Sequence, residues 1–453
     1  MISRFALSIV LTGISTFACA AVSPEEAQKL GNTLTLFGAI KAGNAEGTIP
    51  PYQGGLRTAP ADFEPGKAWA DPFWDEKPLY RITAQNVDQY ADKLSAWQQA
   101  LLKKYPDTWY MDVYPSHRTA AYPDNVLKAT VRNATGCETF NGGLSLETDC
   151  RGGLPFPIAK TGNEMMWNQL LRYKNGPTGV LDEHTSWVVD SNGNITKTAQ
   201  QRAYEEFPFY QTHLEDRDPE VYGRAWSINT EPARRAGEMT GISDFLDPTE
   251  KPRRAWSYSP GQRRVKLAPE FAYDTPVASQ GGISLFDELQ MFAGKQDRFD
   301  FKLIGRQEMY IPYNAYKWYF GIEAPEQFMK NHVNPAVERW ELHRVYVVEA
   351  TLKPGQRHVY SKRRYYMDED TFGAGLYDAW DQEGNLYRTV YMAGVQIYDK
   401  DIPYATKLAI FDFNKNMYGV LNDFLTGRLE FAEEAPSNST QNPEAIVSKY
   451  TQR

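Results

Sequence analysis

Residues 346–352, Tyr-Val-Val-Glu-Ala-Thr-Leu, and 362–368, Lys-Arg-Arg-Tyr-Tyr-Met-Asp, decide how this chain folds. In the first, Tyr346, Val348, Ala350 and Leu352 alternate with Glu349 and Thr351. In the second, Tyr365 and Met367 alternate with Lys362, Arg364 and Asp368. A period of two sends successive side chains to opposite faces of a strand, so both stretches read as strands with one apolar face.

The same rhythm runs outward from there. Ser186 to Thr198 reads as a hairpin turning at 190–194, Asp-Ser-Asn-Gly-Asn. Arg254 to Leu267 reads as another, bending at Pro260-Gly261, with Trp256 and Tyr258 on one face. Tyr316, Trp318 and Phe320 alternate with Lys317 and Tyr319 and are predicted to form a strand. Glu383-Gly384-Asn385 turns a further hairpin, and Lys407–Phe413 and Met417–Leu421 complete the series. Many antiparallel strands with short turns predict a mostly β (α+β) fold, a sandwich or barrel, rather than a parallel α/β sheet.

Helical periodicity is rarer. Val87, Tyr90, Leu94, Trp97, Leu101 and Tyr105 recur at steps of three and four, which predicts a helix from Ala84 to Tyr105, stopped by Pro106. A second is predicted over Asn163–Tyr173, a third over Leu285–Phe292, and a short one at Ser23-Pro24-Glu25-Glu26. Each longer helix has one apolar face and is expected to lie on the sheet.

The ends and the leader differ in composition. Arg4, the apolar run Phe5–Phe17 and the small residues Ala18-Cys19-Ala20 read as a secretory signal in residues 1–20, cleaved after Ala20. The alternative makes Cys19 a lipidated residue, but Thr16-Phe17-Ala18 before it lack the expected leucine. Residues 21–80 are rich in Pro and Gly and are expected to wrap the body as an irregular leader. Residues 81–432 form the β domain, and 433–453 a polar, mobile tail. The expected location is the periplasm of a Gram-negative bacterium.

Cysteine usage agrees with export. After cleavage Cys137 and Cys150 remain, in a Gly-, Asn- and Thr-rich stretch, and in an oxidising compartment a disulfide is the default. The net charge of −8 is spread along the chain without a basic block, which argues against a nucleic-acid partner.

The search for chemistry yields little. There is no Gly-x-Ser-x-Gly elbow, His-Glu-x-x-His pair, Gly-Lys-Ser/Thr loop or Gly-x-Gly-x-x-Gly run. The six histidines, 117, 184, 213, 332, 343 and 358, form no close ligand pair, so no metal and no cofactor is expected. Asp368-Glu369-Asp370, with Asp378 and Asp381 nearby, has the oxygen ligands of a Ca²⁺ site. Its plainer reading is a solvated hairpin end facing basic neighbouring strands. The pairs Arg234-Arg235, Arg253-Arg254, Arg263-Arg264 and Arg363-Arg364 read as cross-strand partners of the acidic excess, or as contacts for an acidic headgroup or partner.

A resemblance adds to this reading. Leu36-Phe37-Gly38-Ala39, Ala42 to Pro50, Gly54-Gly55-Leu56, Asp112 to Arg118 and Gly153-Leu154-Pro155-Phe156-Pro157 are similar to the opening of an uncharacterised family of exported bacterial proteins. Trp256 to Val265, Tyr310-Ile311-Pro312-Tyr313-Asn314 and Arg364 to Asp370 carry the likeness to the end. That family, a domain of unknown function, is grouped with LolA-like periplasmic lipoprotein carriers and is often encoded beside transporters of the resistance-nodulation-division (RND) type. The resemblance implies a strongly curved antiparallel sheet, an unclosed β-barrel, with helices covering the open side and an apolar space inside.

These readings converge on a non-enzyme that binds a lipid or other hydrophobic molecule, with an RND-type inner-membrane transporter or an outer-membrane protein as partner. Strand parity nominates Trp256, Tyr258, Tyr316, Trp318, Phe320, Tyr346, Val348, Tyr365 and Met367 as lining residues. A register slip of one residue would invert each choice. The alternatives are a periplasmic hydrolase whose site is assembled from separate strands, and a structural adaptor of an export complex.

Overall fold

The computed structural model describes residues 22–451 apart from 212–216, 374, 425–426 and 433–436. The expected cleavage point at Ala20 therefore lies outside the described residues.

Among the described residues sixteen strands make one sheet. In chain order they are β1 (Tyr80–Ile82), β2 (Met111–Tyr114), β3 (Thr178–Val189), β4 (Ile195–Glu206), β5 (Val221–Glu231), β6 (Met239–Phe245), β7 (Arg254–Ser259) and β8 (Arg264–Leu267). Then come β9 (Phe299–Pro312), β10 (Trp340–Leu352), β11 (Lys362–Asp368), β12 (Gly375–Trp380), β13 (Leu386–Met392), β14 (Leu408–Asp412), β15 (Met417–Asp423) and β16 (Arg428–Ala432). The spatial order is β9-β10-β11-β12-β13-β14-β15-β3-β4-β5-β6-β7-β8, with β1-β2 beside the start of β10 and β16 beside the start of β3. Every pairing is antiparallel except β2 with β10. The free edges of β8 and β9 do not meet among the described residues, so the curved sheet stays unclosed.

The helices are α1 (Pro24–Ala27), α2 (Ala96–Lys104), α3 (Asp124–Gly136), α4 (Gly162–Leu171), α5 (Tyr316–Phe320) and α6 (Pro443–Thr451). None is long and apolar enough to cross a membrane. The helix predicted over 84–105 exists only in its second half. Ser95 and Gln98 form a capping box, Gln98 N–H to Ser95 Oγ and Ser95 N–H to Gln98 Oε1, which starts α2 at Ala96. Residues before it make two 3₁₀ turns instead. The helix predicted over 285–292 is a single 3₁₀ turn, because Asp287 and Glu288 are drawn into the interior by Arg363 and Arg388.

The strand predicted at Tyr316–Phe320 is α5. Three separate anchors fix its rings in directions that strand alternation does not provide. Tyr316 Oη donates to the Gln396 carbonyl, Trp318 Nε1 to Gln327 Oε1, and Tyr319 Oη to the Ala393 carbonyl. Two helices went unpredicted. The first, α3, buries Val126, Thr130, Asn133 and Ala134 at helical spacing and ends at Cys137, which is bonded to Cys150. The second, α6, falls in the stretch expected to be a mobile tail. It opens on Asn442-Pro443 and buries Ile446 and Val447.

The leader carries short turns and isolated bridges rather than strands, and buries Phe37, Ala39 and Ile49 in the main core. Direct cross-strand partners share a face. Val348, Tyr365, Tyr377, Val390 and Ile410 form one such row on what we term the inner face. Helix α2 packs Trp97 against Tyr391 and Phe411 on the opposite, outer face.

Candidate functional site

The inner face is packed solid across β10–β12 and opens into hollows across β4–β7. The cause is side-chain size. Ala203, Ser227, Thr240 and Ser257 stand directly opposite one another on four successive strands, and all four line a hollow of about 390 Å³. Small side chains in register leave room that Leu or Tyr would fill. The other side of this hollow is the connection from β8 to β9, residues 268–298, which contributes Phe271, Pro276, Val277, Phe286 and Leu289.

A second hollow of about 170 Å³ adjoins it through Glu205, Ala225, Ile242, Gln280 and Leu289. Its walls include Leu170, Phe207, Phe292, Val390, Leu408 and Ile410. A third, of about 190 Å³, continues past Tyr222, Asp244 and Ala293. The first two together fall within the roughly 300–1,000 Å³ of small-molecule sites. The polar groups at the smaller hollow converge on its strap side. Lys174 Nζ lies 3.1 Å from Glu205 Oε2, and the Gln290 side-chain amide donates to Glu205 Oε1 at 2.9 Å.

The nine residues nominated by parity are scattered relative to this space. Trp256 and Tyr258 belong to the outer face. They join Trp226 and Met239 in a small cluster beneath Ile446 and Val447 of α6, although Tyr258 also borders the large hollow. Their neighbours Ser257 and Ser259 are the ones that face inward. Tyr346, Val348, Tyr365 and Met367 stand on the inner face, but in its solidly packed half. Tyr346 stacks on Phe372, and Tyr365 meets Tyr377 at a tilt and Phe292 in a T-shaped contact. Tyr316 and Trp318 are buried in the core from α5, and Phe320 packs on Trp69. The row that lines the larger hollow from the sheet was missed because its residues are small or polar, and the residues of its cover lie in a loop. Their one sequence signal is the alternation of Ser257 and Ser259 with Trp256 and Tyr258.

The acidic run overturns its reading as a solvated hairpin end. Asp368, Glu369 and Asp370 are all buried. Arg118 holds Asp370 through two hydrogen bonds of 2.8 and 2.6 Å, and Arg344 lies 3.2 Å from Glu369. His343 Nε2 donates to Glu341 Oε2 (3.0 Å) on one side, and Nδ1 lies 3.8 Å from Asp368 on the other. Burial and the neighbouring carboxylates push Asp368 well above the ordinary carboxylate range. One ligand atom from each of His343, Asp368 and Asp370 falls within 4.8 Å of the others, but Arg118 already occupies both Asp370 oxygens. Of the other acids named, Asp378 is buried under the start of α2, whereas Asp381 does sit in a hairpin turn. Cross-strand ion pairing of the basic pairs is seen at Arg364–Glu349, at 2.6 Å.

The model of a family described as protein of unknown function (DUF1329) matches residues 81–447. The chain belongs to the DUF1329 family. An "Uncharacterized protein PA3922" of Pseudomonas aeruginosa is 40% identical over 415 residues, covering 90% of each chain. Among solved structures, a DUF1329 family protein from Desulfovibrio piger aligns with TM-score 0.40 at 14% identity, over 60% of this chain and 92% of that one. A LolA superfamily protein from Nitrosomonas europaea aligns with TM-score 0.36 at 12% identity, over 63% and 99%.

Proposed function

We propose that this DUF1329 protein is an exported carrier that holds a lipid or other hydrophobic molecule between its sheet and the 268–298 strap. The observation that carries this reading is the row of small residues, Ala203, Ser227, Thr240 and Ser257, under an apolar strap. A packed β protein of this size has no need of such a space, and the adjoining hollow adds apolar wall from Leu170, Phe207, Phe292, Val390 and Ile410 beside its charged groups.

The energetics suit an acyl chain. Each buried methylene is worth about 0.8 kcal/mol, so sixteen carbons supply roughly 12 kcal/mol before ordering costs. The Cys137–Cys150 bond fits an oxidising compartment such as the periplasm. The family resemblance supplies the partner class, an envelope transporter of the RND type.

The test is direct. The delipidated protein is incubated with a fluorescent fatty acid and with a sterol, and the native protein is extracted with organic solvent for mass spectrometry. Saturable uptake of one probe, or a bound lipid in the extract, supports the carrier. Absence of both sinks it.

A further inference from the structure

The smaller hollow carries buried cations. Arg172, just after α4, is 4% exposed, and Lys174 is 5% exposed. Lys174 is matched by Glu205 at 3.1 Å. The other charged groups around this hollow are matched as well: Arg224 by Glu206 and Asp218, Asp244 by Arg253, Glu288 by Arg388. Arg172 has no carboxylate within ion-pair distance among the described residues.

Its hydrogen bonds are all to neutral groups. Arg172 Nη1 donates to the Gln169 carbonyl at 2.6 Å and Nη2 to the Gln290 side-chain oxygen at 3.1 Å. Nε is buried and has no acceptor among the described residues. The same Gln290 oxygen accepts from Lys174 Nζ. Two buried cations thus converge on one uncharged oxygen. That oxygen belongs to a strap residue held at φ 53°, a left-handed conformation uncommon outside glycine. The fold also makes room for the guanidinium: a Cβ at Gly373 would lie 2.1 Å from Arg172 Nε. A buried charge is stable only when paired, and an amide oxygen does this less well than an anion. Burial lowers the Lys174 ammonium to about 8 and the Arg172 guanidinium to about 10.

We propose that the smaller hollow is the head-group end of the ligand site and takes a single-chain amphiphile with a carboxylate head. A carboxylate oxygen replaces the Gln290 amide oxygen on Arg172 and Lys174, and the acyl chain passes Ala225, Ile242 and Leu289 into the larger hollow. This rests on the carrier reading and gives it a ligand class.

The experiment compares palmitate with hexadecanol, which share a chain and differ in head charge. Affinities are measured by displacement of a fluorescent fatty alcohol from the delipidated protein. In the native protein palmitate is expected to bind at least tenfold tighter. Arg172→Gln is expected to reduce that ratio at least tenfold, and Lys174→Gln to reduce it less, with circular dichroism verifying that each variant is folded. Lys174→Gln decides the matter if Arg172→Gln does not fold. Equal affinities in the native protein, or an unchanged ratio in a folded variant, overturn the head-group assignment while hexadecanol binding leaves the carrier standing. Binding of neither compound overturns both.

Discussion

Trp256 packs its indole directly over Gly241 on the neighbouring strand, so closely that a Cβ at Gly241 would lie 2.3 Å from Trp256 Cε2. Trp226 stands opposite Gly241 on the other side. Gly241→Ala is therefore expected to force the indole aside and to lower stability by about 1–3 kcal/mol. Urea unfolding checks this. Gly261→Ala, where no atom lies within 4 Å, is the control and should shift stability by less than about 0.5 kcal/mol.

Helix α6 is the lid of that same cluster. Ile446→Ala is expected to lose roughly 2 kcal/mol and to shift tryptophan emission to the red as Trp226 meets water. An unchanged spectrum and midpoint would mean that α6 is not docked in solution.

Stability should fall as pH rises above about 4.5. Burial raises Asp378 to about 7 and Glu338 to about 8, so the folded protein keeps protons that the unfolded chain has released. Between the unfolded and folded values each group removes up to about 1.4 kcal/mol per pH unit. Glu341 works the other way. His343 and Arg339 beside it hold its carboxyl at about 2, so its contribution is present above about 4.5 and is lost as pH falls toward 2. Melting temperatures should decline from about pH 4.5 to about pH 8, and Glu338→Gln should flatten that decline without changing the acid limb below about 4.5.

Filling the large hollow should abolish uptake without harming the fold. Ser227 stands in the middle of the small-residue row, between Ala203 and Thr240. Ser227→Phe is expected to weaken fatty-acid binding at least tenfold at an unchanged or higher melting temperature. Retained affinity would place the ligand elsewhere.

The Cys137–Cys150 bond encloses a short loop at the end of α3. Replacing both cysteines with alanine should cost about 3 kcal/mol, largely through the unfolded chain. Reductant should have the same effect on the native protein and none on the double variant.

Much of the fold could be read from the amino acids because period-two alternation is a local property. The hairpins of 186–198 and 254–267 stand where Asn-Gly and Pro-Gly turns put them. Residues 316–320 misled because their alternation of large rings is equally satisfied by a short helix once Gln327, Gln396 and Ala393 supply partners from elsewhere. The site was less legible. Parity gives two faces but not which one is hollow, and size is read in the wrong direction. On the sheet's inner face Tyr365 and Tyr377 mark filled space, whereas Ser227, Thr240 and Ser257 mark the void. Pairing Arg118 with Asp370 across 252 residues, or Arg172 with a strap residue 118 positions away, leaves no local trace at all.

The strap over the hollows is also the stretch of chain that joins β8 to β9, the two strands with a free edge at either end of the sheet's spatial order. It is strung from one rim to the other like a bowstring. Flattening the bow tightens the string against the small-residue row, and deeper bending slackens it. On the carrier reading proposed above, a guest that wedged the rims apart would draw the cover down upon itself, and the flexing of the whole wall would govern loading and release.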